Sequence, residues 1–243
     1  MIRSNHVNVV ENHIVIELVQ GFGDAAKSRS ALMFDEYYVD LGCRENWSME
    51  SLIRGYHRFK ERYWPEGQSV FHALAAKGQA PRAMVIACCD SRVSPEVIFD
   101  AAPGEIFVVR NVANLVPPYA PDSDNHGTSA ALEFAVRKLN VEHIIIMGHS
   151  LCGGIRALVE ENLSDDDDFI GPWMKIATVA RERSLAASGG VIETARQLCE
   201  HESIRVSLNN LLTFPWIRER VDQGALLLHG WFFDIDTGNL DKV

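Results

Sequence analysis

Short apolar runs alternate with helix-like stretches through the middle of this chain, and that alternation constrains its fold more than any other feature. Ala83-Met84-Val85-Ile86-Ala87 and the stretch from His143 to Gly148 are unbroken apolar runs of strand length. Such runs suit strands buried on both faces. Glu105 to Arg110 reads as a third strand. Between these lie a short helix from Ser94 to Phe99, with Pro95 in its first turn, and a helix from Thr128 to Leu139. The latter is apolar at Ala131, Leu132, Phe134, Ala135, Val136 and Leu139, and a further helix is expected from Gly153 to Glu161. Proline is favoured at a first helical position because its missing N–H has no partner there anyway. Strands separated by helices read as βαβ units. The expected fold is therefore α/β, a central, mainly parallel β-sheet flanked by helices.

The flanks are less regular. Ser48 opens a helical pattern carried by Leu52, Ile53, Tyr56, Phe59 and Tyr63, which Pro65-Glu66-Gly67 is expected to end. Ser69 to Lys77 reads as the next helix. The run Asp165 to Asp168 reads as a solvated loop, 171–210 as helical, Ala225 to Asp234 as a last strand and Asp236 to Asn239 as a turn. Residues 1–46 form an N-terminal arm or extension, with His13 to Val19 a short strand or helical turn, and 47–243 form a single α/β domain. A net charge of −10 argues against nucleic acid as a partner, since duplex binding leans on Lys and Arg. Five cysteines, an odd number in a chain of 243 residues, do not suit a disulfide framework. Without a long apolar span or a signal-peptide pattern, no membrane partner is expected, and a cytoplasmic location is.

Chemistry gathers where two strands run out. Cys88-Cys89-Asp90-Ser91-Arg92 follows the first apolar run, and His149-Ser150-Leu151-Cys152-Gly153-Gly154 follows that ending at Gly148. Open α/β sheets bind ligands beyond the carboxyl ends of their strands. Catalytic zinc takes three protein ligands and keeps a position open. Cys88, His149 and Cys152 would supply such a set, with the last two aimed together by one turn and Gly153-Gly154 letting that turn pack closely. Cys43, Cys89 and Cys199 are read as small buried hydrophobes, the usual role of a free cysteine.

Two thiolates neutralise a zinc ion and weaken it as a Lewis acid, so a bound water needs help to ionise. Asp90 could give that help, anchored by a bidentate pair with Arg92. It could orient a zinc-bound hydroxide or swing onto zinc as a fourth ligand; the bland alternative is a structural ion pair. Two other readings use the same residues. Gly148 to Gly153 nearly spells a serine-hydrolase elbow around Ser150, but Cys152 stands where that turn needs glycine. A non-catalytic zinc or redox module could use Cys88 and Cys89, with Asp90 as a permanent fourth zinc ligand.

Cys88-x-Asp90-Ser91-Arg92 with His149-x-x-Cys152-Gly153-Gly154 resembles the β-class carbonic anhydrases. Phe107-Val108-Val109-Arg110-Asn111-Val112-Ala113-Asn114 and His229-Gly230-Trp231 match that family too. The resemblance implies reversible hydration of CO₂ to bicarbonate and a proton by zinc-bound hydroxide. Zn²⁺ would be held by Cys88, His149 and Cys152, with Asp90 and Arg92 as the catalytic dyad. It implies substrate contacts from Gln79 and the Gly153 N–H, and a pocket lined by Phe107, Val112 and Phe134. Phe134 stands where a tyrosine is frequent, so any hydroxyl contact there is lost. It also implies a homodimer or a tetramer-of-dimers type of assembly, with N-terminal helices packing on a partner subunit and the site near the interface. A non-catalytic bicarbonate site known in part of the family is not expected. Arg110 matches it, but Val85 and Phe233 replace its Trp and Tyr, so Asp90 is expected to stay off the zinc and paired with Arg92. COS or CS₂ as substrate, on the same fold and metal, remains open, and His126 is a weak candidate for proton transfer.

Overall fold

The computed structural model describes residues 48–243 apart from Ser123, Asn162 and 164–166. The readings of 1–46, including His13 to Val19 and Cys43, lie outside the described residues. The chain divides into two compact units, 1–60 and 61–243. Within the first, helix α1 (Met49–Arg58) buries none of its residues. Met49, Leu52, Ile53 and Tyr56 recur at helical spacing along it and are all exposed.

A wide turn, Phe59–Tyr63, leads into α2 (Trp64–Lys77). Pro65-Glu66-Gly67 does not end a helix as expected. Pro65 sits in the first turn of α2, the position where proline is tolerated. Gly78, at φ 80°, ends α2 by donating its N–H to the Leu74 carbonyl at 2.8 Å.

The sheet contains β1 (Ala83–Cys88), β2 (Ile106–Asn111), β3 (His143–His149), β4 (Leu227–Phe233) and β5 (Leu240–Lys242). Their order is β2-β1-β3-β4-β5. The pairs β1–β2, β1–β3 and β3–β4 are parallel, and β5 returns antiparallel to β4. The strand β5 was not expected. It is three residues long and wholly exposed, so it carries no apolar signal.

Connections run through α3 (Pro95–Ile98), α4 (Gly127–Glu133) with a wide last turn at Phe134–Lys138, and α5 (Gly153–Val159). The single helical region expected after the Asp run is four elements: α6 (Ile170–Met174), the turn Lys175–Ala177, α7 (Thr178–Ala187) and α8 (Ile192–Leu211). Helix α9 (Pro215–Asp222) follows.

Met84, Ile86, Ile144 and Ile146 form one buried face of the sheet with Leu132 and Val136 from the α4 segment and Ile204 and Leu211 from α8. Val85, Ala87, Ile145 and Met147 bury the other against Ile98, Phe99 and Trp231. Burial on both faces explains why β1 and β3 read as continuous apolar runs and not as alternating ones. The long helix α8 lies close against β3 and β4 because of glycine. A Cβ on Gly148 would stand 2.6 Å from Ile204 Cδ1, and one on Gly230 would stand 2.9 Å from Ile204 Cγ2. That close approach brings the first half of α8 up to the carboxyl end of β3.

Candidate metal centre

Parallel pairing sends β1 and β3 out on the same side of the sheet, so Cys88 and His149, their last residues, end side by side. Cys152 follows one turn later as the residue capping α5. The three are buried, and their ligand atoms all lie within 4.8 Å of one another. The sulfurs of Cys88 and Cys152 are 4.0 Å apart. Tetrahedral zinc, with bonds to sulfur of about 2.3 Å, needs its sulfurs about 3.8 Å apart. The His149 ring turns Nδ1 to the Ser150 carbonyl at 2.8 Å, which leaves Nε2 as the lone-pair nitrogen. Nε2 is buried without a hydrogen-bond partner. Two adjacent thiols and an orphaned imidazole nitrogen fit a cation of borderline softness.

Electrostatics support the same reading. The Cys152 thiol beside it, and the Asp90 and Ala113 N–H groups, hold the Cys88 thiol well below its ordinary value against the opposing cost of burial. The Cys88 sulfur and burial push Cys152 upward. Burial lowers the His149 pKa, but the Cys88 sulfur and the Ser150 carbonyl outweigh it, and the net shift is upward.

Asp90 and Arg92 stand just past Cys88, where β1 has ended. Arg92 donates from Nε to Asp90 Oδ1 at 2.9 Å and from Nη2 to Oδ2 at 2.7 Å, and its backbone N–H donates to Oδ1 at 3.0 Å. These bonds hold the Asp90 carboxyl well below the usual carboxylate range. The carboxylate is committed to Arg92 and is not part of the three-ligand cluster. Arg110 ties the loop from behind, donating from Nε to the Cys88 carbonyl at 2.8 Å and from Nη2 to the Asp90 carbonyl. Its role at this site is therefore to hold the Cys88–Asp90 backbone.

Val112 follows Asn111, the β2 partner of Cys88, and its carbonyl accepts from Trp173 Nε1 at 2.8 Å. It lines a cavity of about 720 Å³ with Cys89, His126, Phe169 and Trp173 among the walls. Cys89 is exposed, not buried as expected. The strand stops at Cys88, so the next residue leaves the sheet. Cys199 is buried, and burial pushes its thiol up to about 12. The glycine that lets the ligand turn pack is Gly154. A Cβ there would meet Val112 Cγ1 at 2.8 Å, while one on Gly153 would meet nothing within 4 Å.

Three expected substrate contacts are not brought to this end of the sheet. Phe107 pairs with Met84, four residues before Cys88 in the register, and stacks on the exposed Phe134 with ring centroids 5.9 Å apart. Gln79 is exposed and precedes the amino end of β1.

Ser150 is not set up as a nucleophile. Its Oγ accepts from the Ile235 N–H at 2.9 Å, and the neighbouring imidazole faces the Ser150 carbonyl, not the hydroxyl. Glu200, on α8, is a site residue that sequence reasoning missed. It is buried, it accepts from the Cys152 N–H at 3.0 Å, and burial pushes its carboxyl up to about 7.

Comparison with known proteins decides the lineage. The carbonic anhydrase family model matches residues 83–240. The chain belongs to the β-class carbonic anhydrase family. It is 47% identical over 169 residues to β-carbonic anhydrase 5, chloroplastic, of Arabidopsis thaliana, covering 69% of this chain and 56% of that protein. It is 35% identical to a carbonic anhydrase of Synechococcus elongatus, covering 80% and 71% respectively. Among solved structures, the β-carbonic anhydrase CcaA superposes with a TM-score of 0.75 at 34% identity, over 80% of this chain and 91% of that one. One of two tetrameric β-carbonic anhydrases of Sordaria macrospora gives 0.70 at 27% identity, over 80% and 95%. The matches are to carbonate dehydratases, enzymes of the lyase class. Among the described residues no helix is long and apolar enough to cross a membrane.

Proposed function

We propose that this chain hydrates CO₂ reversibly to bicarbonate and a proton, with a zinc ion held by Cys88, His149 and Cys152. The observation that carries the reading is the buried Cys₂His cluster with a bidentate carboxylate–guanidinium pair anchored beside it. Zinc bound there would supply the Lewis acidity that lets water lose a proton near neutral pH. The protein's own residues do the rest. Arg92 fixes Asp90 as a permanently ionised acceptor that can orient a reacting water through its proton. Val112 presents an apolar wall, which suits an apolar substrate. The Gly153 N–H, at the start of α5, would donate to an oxygen gaining charge.

Gln79, Phe107 and Phe134 enter this scheme from a second copy of the chain. Within one chain Gln79 and Phe107 lie towards the amino ends of β1 and β2, while the metal ligands lie at the carboxyl ends. The exposed stripe of α1 is apolar surface that such an assembly would cover. The tetrameric Sordaria macrospora relatives are consistent with a homo-oligomer.

Stopped-flow CO₂ hydration on metal-quantified protein tests the reading, with COS and CS₂ offered under the same conditions. Hydration that scales with bound zinc supports it. A zinc-replete chain that leaves CO₂ untouched refutes it, and turnover of COS or CS₂ alone would reassign the substrate.

A further inference from the structure

The turn carrying two of the three ligands contains a strained residue. Leu151 sits at φ 59°, in the left-handed region that a side chain disfavours by about 1–2 kcal/mol. Such a conformation persists only where its surroundings over-determine it. Here the clamps converge on one peptide unit. The C=O of Leu151 accepts from Arg92 Nη2 at 3.1 Å. The N–H of Cys152, the other half of the same planar peptide, donates to Glu200 Oε1 at 3.0 Å. Asp90, Arg92, the Leu151–Cys152 peptide and Glu200 therefore form one chain of hydrogen bonds. It runs from the dyad, through the backbone of a metal ligand, to a buried carboxylate on α8.

Glu200 reaches this peptide because Gly148 and Gly230 let α8 approach the sheet. It has 7% of its surface exposed, and with Cys152 it lines a separate cavity of about 490 Å³. The geometry points to Glu200 as a positioning residue. By holding the Cys152 N–H it fixes the plane of the Leu151–Cys152 peptide, and so sets both the aim of the Cys152 sulfur and the acceptor that anchors Arg92. Without it, Leu151 can relax to negative φ, which rotates that plane. Glutamine keeps an acceptor oxygen, whereas methionine keeps the length and apolar burial but offers none. Glycine at 151 adopts the left-handed conformation without cost, so it removes the strain that the lock opposes.

This inference rests on the zinc reading, and its test separates the two. Zinc release to a chromogenic chelator and the cobalt-substituted spectrum are measured for wild type, Glu200→Gln, Glu200→Met and Glu200→Met combined with Leu151→Gly. Glu202→Ala, which removes a half-buried carboxylate on the same helix that pairs with Arg183 and Arg205, serves as control. Cys152 amide exchange is followed on the metal-free chains, which reads the lock whether or not zinc binds. Glu200→Met is expected to release zinc about 10- to 100-fold faster, the usual range for residues that orient a ligand, and to deprotect the Cys152 amide. Glu200→Gln and Glu202→Ala stay near wild type, and Leu151→Gly restores most of the zinc retention. Wild-type release and amide protection in Glu200→Met, or no recovery in the double variant, would overturn the assignment. A wild-type chain without zinc would sink the metal reading while leaving the exchange result to decide on the lock.

Discussion

Asp90→Asn separates a catalytic pair from a structural one. Asp90 accepts three hydrogen bonds from Arg92, two of them from the guanidinium. An asparagine has one carbonyl oxygen, so its NH₂ must face a guanidinium donor and at least one side-chain bond is lost. Bonds to charged groups contribute about 1.5–3 kcal/mol. The Arg92 side chain is 46% exposed, however, and solvent screening brings the stability loss down to about 1 kcal/mol. The effect on turnover is larger, because a positioned proton acceptor is worth about 10²- to 10⁴-fold. Arg92 holds the Asp90 carboxyl below its ordinary range. A depressed folded pKa means the pair is intact above the unfolded value and is lost only as pH falls through the folded one. The pair therefore stays ionised across an assay from about pH 6 to 9. Stopped-flow hydration and metal analysis on one preparation should show full zinc and a kcat at least about 100-fold lower. Wild-type turnover at full zinc would refute the dyad. Loss of zinc would show that Asp90 is a permanent ligand, as in a structural site.

Three further outcomes follow from the geometry. Cys152→Ser should lose zinc and CO₂ hydration together, measured as metal per chain and activity, because a hydroxyl is a poor substitute for a buried thiolate donor. Gly154→Ala puts a Cβ 2.8 Å from Val112 Cγ1 and 3.3 Å from Ala113 Cβ. Overpacking of this kind costs about 1–3 kcal/mol, read as a fall in denaturant midpoint that Val112→Ala should partly reverse. His201 stacks on Phe232 with ring centroids 4.0 Å apart, and burial, then Arg205, lowers its pKa. The folded chain then binds fewer protons than the unfolded one, so His201 costs stability as pH falls through the imidazole range. The Tm of wild type relative to His201→Gln should therefore be lower near pH 5.5 than near pH 8, about one pH unit or more either side of the free imidazole value. A pH-independent difference would refute it.

The fold was legible where burial is uniform. Strands β1 and β3 lie between packed layers, so their central positions are apolar on both faces and the run itself marks the strand. Legibility failed where short-range chemistry has two meanings. Pro65 can end one helix or fall in the first turn of another; here the chain is already helical through 59–63 and Pro65 falls in the first turn of α2. Cys89 is expected to be buried because a free cysteine usually is, yet it stands one residue past the end of β1 and is exposed. The short β5 owes its pairing to the turn after β4, where Asp234 Oδ1 accepts from the Asp236 and Thr237 N–H groups and Gly238 takes φ 72°. That segment was legible as a turn but not as a hairpin, because its second strand has nothing to bury.

At the site, side-chain chemistry was legible and backbone chemistry was not. Cys88, His149 and Cys152 announce themselves because sulfur and imidazole at two strand ends have few other uses. Glu200 lies far from Cys152 in sequence, on a helix whose buried positions include Ser203 and Ser207 as well as Ile204. A buried acid there has no signature, since its partner is an amide that every residue except proline carries. What could have pointed to it is indirect. Gly148, directly before a ligand, and Gly230, paired with Ile146 on the neighbouring strand, are strand glycines, and such glycines often mark a close backbone approach. The approaching element turned out to be α8, and Glu200 is where that helix meets the ligand turn. Strand glycines next to a metal ligand are thus a reason to ask what they admit, and here they admit the carboxylate that holds the ligand's own peptide.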